Sequence, residues 1–281
     1  MIGIEHGLSE RKACDVMGFN RSSVRYAPKG LSEFTLMIEE KAVELARDHQ
    51  GNGYKMITSL LRRLGYPTGK TRIFNIWQRN GLALPVRKKR KKTQFPFVRP
   101  CKARTLNEVW CYDFLFVQTE HKETLKIFVM LDEYSRECLA IYVDRKIDSE
   151  KVKQVLKKIV ENRGKPKYVR SDNGPEFISK NLRKWLSKQG IQPQYIDPGS
   201  PWQNGFIESF NGKFRAECLN REMLWSRGEA QTVCNWWQQV YNYFRPHSSL
   251  GQKTPKEFAQ KADFTTLNQP FGLDKTMALL N

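Results

Sequence analysis

The pattern of apolar and polar positions changes period once along the chain, near residue 105. Before that point apolar residues recur at helical spacing. Ser9 to Met17 reads as one helix, followed by the turn Gly18-Phe19-Asn20 and a second helix opening near Arg21-Ser22-Ser23. Phe34, Met37, Ile38, Leu45 and His49 fit one further helix, and Met56, Ile57, Leu60, Leu61 and Leu64 fit another. In the next, Ile73, Ile76 and Trp77 form the inner face while Lys70, Arg72 and Arg79 stay outside. The apolar residues of these helices are expected in a core. The expectation is two small helix-turn-helix-like units, a short segment over residues 1–30 and an all-α domain over 31–84.

After residue 105 the period is that of strands. Val109 to Val117, rich in aromatic and β-branched residues, reads as a buried strand. Thr124 to Leu131 and Glu137 to Asp144 are two more, joined by the polar turn 132–136, and the three suggest an antiparallel meander. Asp148-Ser149 caps a helix carrying Val152, Val155, Leu156, Ile159 and Val160, which Gly164 and Pro166 end. Lys167 to Arg170 is a short strand, Phe177 to Gln189 a helix, and Ile191 to Ile196 a fifth strand. From Gly205 helical spacing resumes through Ile207, Phe210, Phe214 and Cys218. The order β-β-β-α-β-α-β-α predicts an α/β fold, a mixed five-stranded sheet with helices packed on it, over residues 105–262. Trp236, Trp237, Tyr241 and Phe244 are expected in its core. Residues 85–104 are left as a basic linker and 263–281 as a C-terminal tail.

Charge adds a partner to this outline. The 281 residues hold 48 Lys and Arg against 29 Asp and Glu, a formal charge of +19. Residues 1–104 carry 22 of the basic residues and only 8 of the acidic ones, so the positive field lies at the front of the chain. Such an excess points to a polyanion. Arg87, Lys88, Lys89, Arg90, Lys91 and Lys92 supply six of those charges in one run. Read alone the run is a solvated linker. Between two folded units, with Leu84-Pro85 and Phe95-Pro96 favouring extended backbone on either side, it becomes a strap for DNA phosphates. Arg21, Ser22, Ser23 and Arg25 stand where a recognition helix presents polar side chains. The longest apolar run, Cys138 to Val143, is far too short to cross a membrane, and the first thirty residues hold no signal-peptide core. Six scattered cysteines and four scattered histidines have no metal-ligand or disulfide-framework spacing. Membrane proteins, secreted disulfide scaffolds and zinc ribbons are excluded, and a soluble, cytoplasmic protein is expected.

The candidate chemistry is acidic. Asp113 sits mid-strand in an otherwise apolar run, where a carboxylate costs several kcal/mol unless it is paired, protonated or bound to a cation. Asp172 falls just past the C-terminal end of a strand, where sheet-based sites place reactive groups. Glu208 follows core Ile207 on the helix after the fifth strand. Three carboxylates from separate elements form a set of hard oxygen ligands for Mg²⁺ or Mn²⁺. Taken singly, each is as readily a turn cap or a surface ion-pair partner, and Asp132 and Asp197 are similar candidates by composition. Trp202 and Gln203 are either loop packing or contacts to a DNA end. His247, beside Pro246, reads as part of a capped turn.

The contexts of the three acids carry more than their spacing. Asp113 in VWCYDFLFV, Asp172 in YVRSDNGPEF and Glu208 in PGSPWQNGFIESFNGKFRAECL together resemble the D,D,E core of insertion-sequence transposases, relatives of retroviral integrases with the ribonuclease-H fold. Thirty-five residues separate Asp172 from Glu208, the spacing typical of that group. The segment Tyr241-Asn242-Tyr243-Phe244-Arg245-Pro246-His247-Ser248-Ser249-Leu250-Gly251, followed by Thr254-Pro255, resembles the same family's C-terminal signature. The resemblance covers roughly residues 30–260. It implies that Asp113, Asp172 and Glu208 are catalytic and hold two Mg²⁺ (or Mn²⁺) ions. It also implies nicking at the element's terminal inverted repeats and joining of the freed 3′-OH to target DNA.

Arg215, seven residues after Glu208 and on the same helical face, stands where the family usually has a basic residue near the transposon end. Lys213, Arg72, Arg21 and the 87–92 run complete the expected DNA contacts. Glu176 and Asn173 are supporting candidates only. The family further implies a homo-oligomer on double-stranded DNA, work at the bacterial nucleoid, and an upstream-frame protein as partner or fusion. The chain shows no sustained heptads, and it lacks the His-His-Cys-Cys zinc module of retroviral integrases. A catalytically silent DNA-binding remnant or regulator and a plain metal-dependent nuclease of the same fold are the alternative readings.

Overall fold

The computed structural model describes residues 9–27, 30–49, 51–83, 102–197 and 201–267. The basic run 87–92, the turn residues 198–200 and most of the expected tail lie outside the described residues. In the front part, α1 (Glu10–Met17) starts where Ser9 caps it and ends at Gly18, whose φ of 67° is a left-handed turn that glycine adopts without strain. A single turn, α2 (Arg21–Val24), follows and buries nothing. Then α3 (Glu33–Asp48), α4 (Tyr54–Arg63) and α5 (Lys70–Arg79) form a three-helix unit. Its core is Ile38, Ala42 and Leu45 from α3, Ile57 and Leu61 from α4, and Ile73, Ile76 and Trp77 from α5.

The inner face of α3 differs from the sequence reading. Phe34 and Met37 are exposed, as is Leu64 after α4. The 3.6-residue period with small Ala42 and Ala46 on the stripe lets helices approach along that side and leaves the bulkier residues outside. Arg72 lies over the Phe34 ring, with its guanidinium 5.5 Å from the centroid.

The second part is the expected mixed sheet. Its strands are β1 (Val109–Gln118), β2 (Thr124–Asp132), β3 (Cys138–Asp144), β4 (Tyr168–Ser171) and β5 (Gln192–Tyr195). They are ordered β3-β2-β1-β4-β5, the first three antiparallel and β4 and β5 parallel to β1. Helices α6 (Ser149–Arg163) and α7 (Lys180–Gln189) cover one face, meeting Trp110, Tyr112 and Phe128. Helices α8 (Gly205–Phe214) and α9 (Arg227–Gln239) cover the other, meeting Cys111, Leu115, Ile127 and Val129. A last helix, α10 (Pro255–Leu267), follows. No helix among the described residues is long and apolar enough to cross a membrane.

Three details depart from the sequence reading. The helix expected from Phe177 begins at Lys180, because Ser179 caps it by accepting the Leu182 N–H at 3.3 Å. Phe177 is left ahead of it, stacked on Phe114 with centroids 4.6 Å apart. Of the expected aromatic cluster, Trp237 and Tyr241 are buried while Trp236 and Phe244 are exposed. A regular helix cannot turn adjacent residues to one face, so Trp236 and Trp237 must diverge. Phe116 of β1 also faces solvent, near the end of its strand.

Candidate active site

Parallel pairing of β1 with β4 sets the centre of the site. Cys111 stands opposite Arg170, so two residues further along both strands Asp113 and Asp172 reach the same level. Neighbouring strands lie about 5 Å apart. Alternation turns Asp113 to the same face as Cys111 and Leu115, the face that α8 covers. Ile207, Phe210 and Phe214 pin α8 to that face. Their contacts include Phe214 against Trp237, with centroids 4.7 Å apart, and Phe210 against Tyr241 at 5.0 Å. Glu208 follows Ile207 and is exposed, and its carboxylate has no hydrogen-bond or ion-pair partner among the described residues.

Asp113 is held at both oxygens. Oδ1 accepts the Phe114 N–H at 2.8 Å, and Oδ2 accepts from Asn211 Nδ2 at 2.8 Å. Its pKa is nonetheless pushed up to about 6, first by burial, with the charges of Asp172 and Glu208 adding to the shift against the two hydrogen bonds. That coupling places all three carboxylates in one electrostatic neighbourhood. Asp172 Oδ1 accepts the Gly174 N–H at 3.0 Å, which fixes its side chain in a tight turn. A Cβ on Gly174 would stand 3.1 Å from that oxygen, so the turn leaves little room for a larger residue.

The donors are all carboxylate oxygens, a set suited to a hard divalent cation. A cation would relieve the burial and mutual repulsion that raise the Asp113 pKa. Asn211 Oδ1 is buried without a partner among the described residues, beside the same carboxylate. Among the described residues, however, no three His, Cys, Asp or Glu side chains close into a single-ion cage. The residues fit such an ion in chemistry, as an open arrangement with Asp172 and Glu208 exposed.

The other candidates separate. Asp132 is buried and caps the β2–β3 turn, accepting from Asn107 N and from Ser135 N and Oγ. Asp197 is stapled to Gln203, whose amide both accepts its N–H at 2.9 Å and donates to its carboxylate at 2.7 Å. Those two bonds hold Gln203 against the loop ahead of α8. Glu176 pairs with Lys126, and Asn173 donates to the Ile196 carbonyl. Arg215 is exposed and donates to the Phe116 carbonyl at 3.4 Å, while Lys213 bends back to Ser209 on the other flank of α8. Arg21 stands 3.7 Å from Glu10 at the first helix pair. Asn211 was missed in the sequence; its place three residues after Glu208 is the signal that puts it on the same helical flank.

The match with known proteins is extensive. Integrase core domain patterns cover residues 103–201 and 189–255, with Asp113 and Asp172 in the first and Glu208 in the second. A 31.7 kDa uncharacterized protein of insertion element IS407 from Burkholderia multivorans is 36% identical over 254 residues, covering 90% of this chain and 91% of that one. The chain belongs to the insertion-element transposases with an integrase-type core. A 39.2 kDa protein of insertion element IS476 from Xanthomonas euvesicatoria is also 36% identical, over 91% of this chain and 74% of its own length. Transposase InsF of insertion sequence IS3A from Escherichia coli is 24% identical over 89% of this chain and 83% of its own. The fold is shared with a chain of the simian T-cell lymphotropic virus intasome, with a TM-score of 0.51 at 16% identity, covering 85% of this chain and 80% of that one.

In this transposase the C-terminal signature does structural work. Asn242 accepts the Cys138 N–H and donates to the Cys138 carbonyl, both at 2.9 Å, tying the end of α9 to β3. Arg245 grips Glu217 through two bonds of 2.8 and 2.6 Å. Thr254 and Glu257 exchange bonds as a capping box that starts α10.

Proposed function

We propose that this transposase nicks the ends of its insertion element and joins the freed 3′-OH to target DNA, with Asp113, Asp172 and Glu208 as the catalytic carboxylates. The observation that carries this reading is the coupling of Asp172 and Glu208 to the half-buried Asp113, which Asn211 of α8 holds by a hydrogen bond, within an integrase-type core. Two Mg²⁺ or Mn²⁺ ions, when bound by these carboxylates, supply positive charge to the attacking and leaving oxygens of an in-line phosphoryl transfer. Asn211 and the Phe114 N–H orient Asp113, and both favour its ionised form. The Gly174 N–H holds Asp172, while Glu208 is exposed. Arg215 extends the same helical flank toward the DNA strand. Arg72, Arg21 and the 87–92 run add phosphate contacts, which position the duplex without reading its sequence. A homo-oligomer holding two ends, with or without an upstream-frame partner, completes the assembly.

The open spacing of the carboxylates is the observation on which a binding-only role rests. One assay separates the readings: labelled insertion-end DNA with Mg²⁺, the parent compared with Asp172→Asn. Nicking and joining by the parent alone, with DNA bound by both, is the expected result. Nicking without joining would indicate a nuclease. Binding by both and cleavage by neither, even with the upstream-frame protein added, would refute the catalytic assignment.

A further inference from the structure

The flank of α8 opposite the carboxylates borders a cavity of about 630 Å³, reaching from the β2–β3 turn to the turn at His247. Among the described residues Lys102, Arg136, Arg170 and Lys213 line it, against one carboxylate, Glu133. That carboxylate is already engaged: it pairs with Arg170 inside the protein and accepts the Ala103 N–H at 3.1 Å. Arg136 donates to the Glu133 carbonyl and lies 3.5 Å above the Phe206 ring centroid. Lys213 donates to Ser209 Oγ at 2.7 Å. Neither Arg136 nor Lys213 has an ion-pair partner among the described residues.

A second observation is independent of the charge. His247 also lines the cavity and is only 6% exposed, yet its Nε2 is buried with no hydrogen-bond partner among the described residues. The ring is fixed edge-on to Tyr241, with centroids 4.9 Å apart. Burial, then Arg245, Lys213 and Arg136, push the His247 pKa down to about 3, and burial with Arg245 and Arg136 also lowers that of Lys213. Such a neutral imidazole leaves a buried ring nitrogen without a partner, and in the Nε2–H tautomer it would be a donor without an acceptor, beside cations that repel one another. An anion rich in acceptors answers both, and a phosphate is the anion whose oxygens suit several donors at once. The cavity lies one helix width, about 10 Å, from the Glu208 flank. That is on the order of three phosphates along a strand rising about 3.4 Å per nucleotide.

We propose that this pocket seats a backbone phosphate of the DNA strand, held by Arg136, Lys213 and His247, and so fixes where the strand crosses α8. The proposal rests on the transposase reading and assigns Lys213 a place distinct from that of Arg215. It is tested with the full-length chain in EDTA, so that strand cleavage plays no part. Binding of a fluorescein-labelled 30-bp duplex is followed by anisotropy across a salt series, for the parent and Lys213→Gln. The His247 imidazole carbon–proton signal, identified by its loss in His247→Gln, is followed in parallel as the unlabelled duplex or inorganic phosphate is added to the parent.

The expected results are binding roughly tenfold weaker for Lys213→Gln, a log–log salt slope reduced by about 0.9, and a His247 signal that moves with DNA. A His247 signal that moves with inorganic phosphate and not with DNA would make the pocket a free-phosphate site and overturn the DNA assignment. An unchanged slope with a still His247 signal overturns the pocket while leaving the transposase reading intact. If Lys213→Gln does not fold, the His247 signal of the parent decides alone. Failure of the parent to bind DNA would overturn both readings together.

Discussion

Replacing Asp113 with asparagine should make the protein inactive and, at neutral pH, more stable. The carboxyl has an ordinary pKa of 3.8 and is pushed up to about 6 by burial and by its acidic neighbours. A shift of about 2 units corresponds to roughly 3 kcal/mol. The folded pKa lies above the unfolded one, so the destabilisation is absent below about pH 4, grows as pH rises toward 6, and is complete above it. Asparagine keeps the shape and the acceptor for the Phe114 N–H. Asn211 can turn its partnerless Oδ1 toward the new amide. With about 3 kcal/mol as the ceiling and roughly 2–4 °C per kcal/mol for a domain of this size, the variant should melt up to about 6–12 °C above the parent at pH 7.5. At pH 4 the two should melt together. Mg²⁺ should raise the melting temperature of the parent and not of the variant, since the ion relieves in the parent the same burial and repulsion that the substitution removes. Paired thermal melts across pH 4–8, with and without Mg²⁺, measure this. A difference that is flat with pH, or a less stable variant at pH 7.5, would refute the electrostatic reasoning.

Three further outcomes follow from the same contacts. Asn211→Leu removes a bond that favours the ionised form of Asp113, so the acid limb of the pH profile for end cleavage should move upward by up to about one unit; an unmoved limb would mean that Asn211 does not govern Asp113. Glu133→Ala removes the carboxylate that pairs with Arg170, which is 3% exposed, and should cost about 3–5 kcal/mol in urea unfolding. The double replacement Glu133→Leu with Arg170→Met should recover much of that loss, and a single variant costing under about 1 kcal/mol would contradict the assignment. Phe210→Ala, which empties the contact between α8, Trp237 and Tyr241, should destabilise by about 3–5 kcal/mol on the same measurement.

How far the sequence could be read depended on how local each signal was. Strands β1 to β3 were legible because their aromatic and β-branched runs are bounded by polar turns, and α6 because Asp148 caps it and Gly164 ends it. The start of α7 was misplaced because Phe177 is apolar at helical spacing, while the feature that decides the boundary is the hydroxyl of Ser179. Exposure is the property least written in local sequence. Phe34 and Trp236 look like core residues in sequence, and only the direction from which neighbouring elements approach turns them outward. In the site, the carboxylates were visible as oddities in apolar or turn contexts. Asn211 and the cationic cavity were not, since each joins residues roughly forty to a hundred positions apart in the chain.

Strand joining from a pre-nicked insertion end shows whether the three carboxylates form one phosphoryl-transfer centre. The substrate carries a free 3′-OH, a supercoiled plasmid serves as target, and the parent is compared with Glu208→Gln in Mg²⁺. Joined product is expected with the parent and none with the variant, while both bind the end equally. Joining by Glu208→Gln at the parental rate would contradict a single centre.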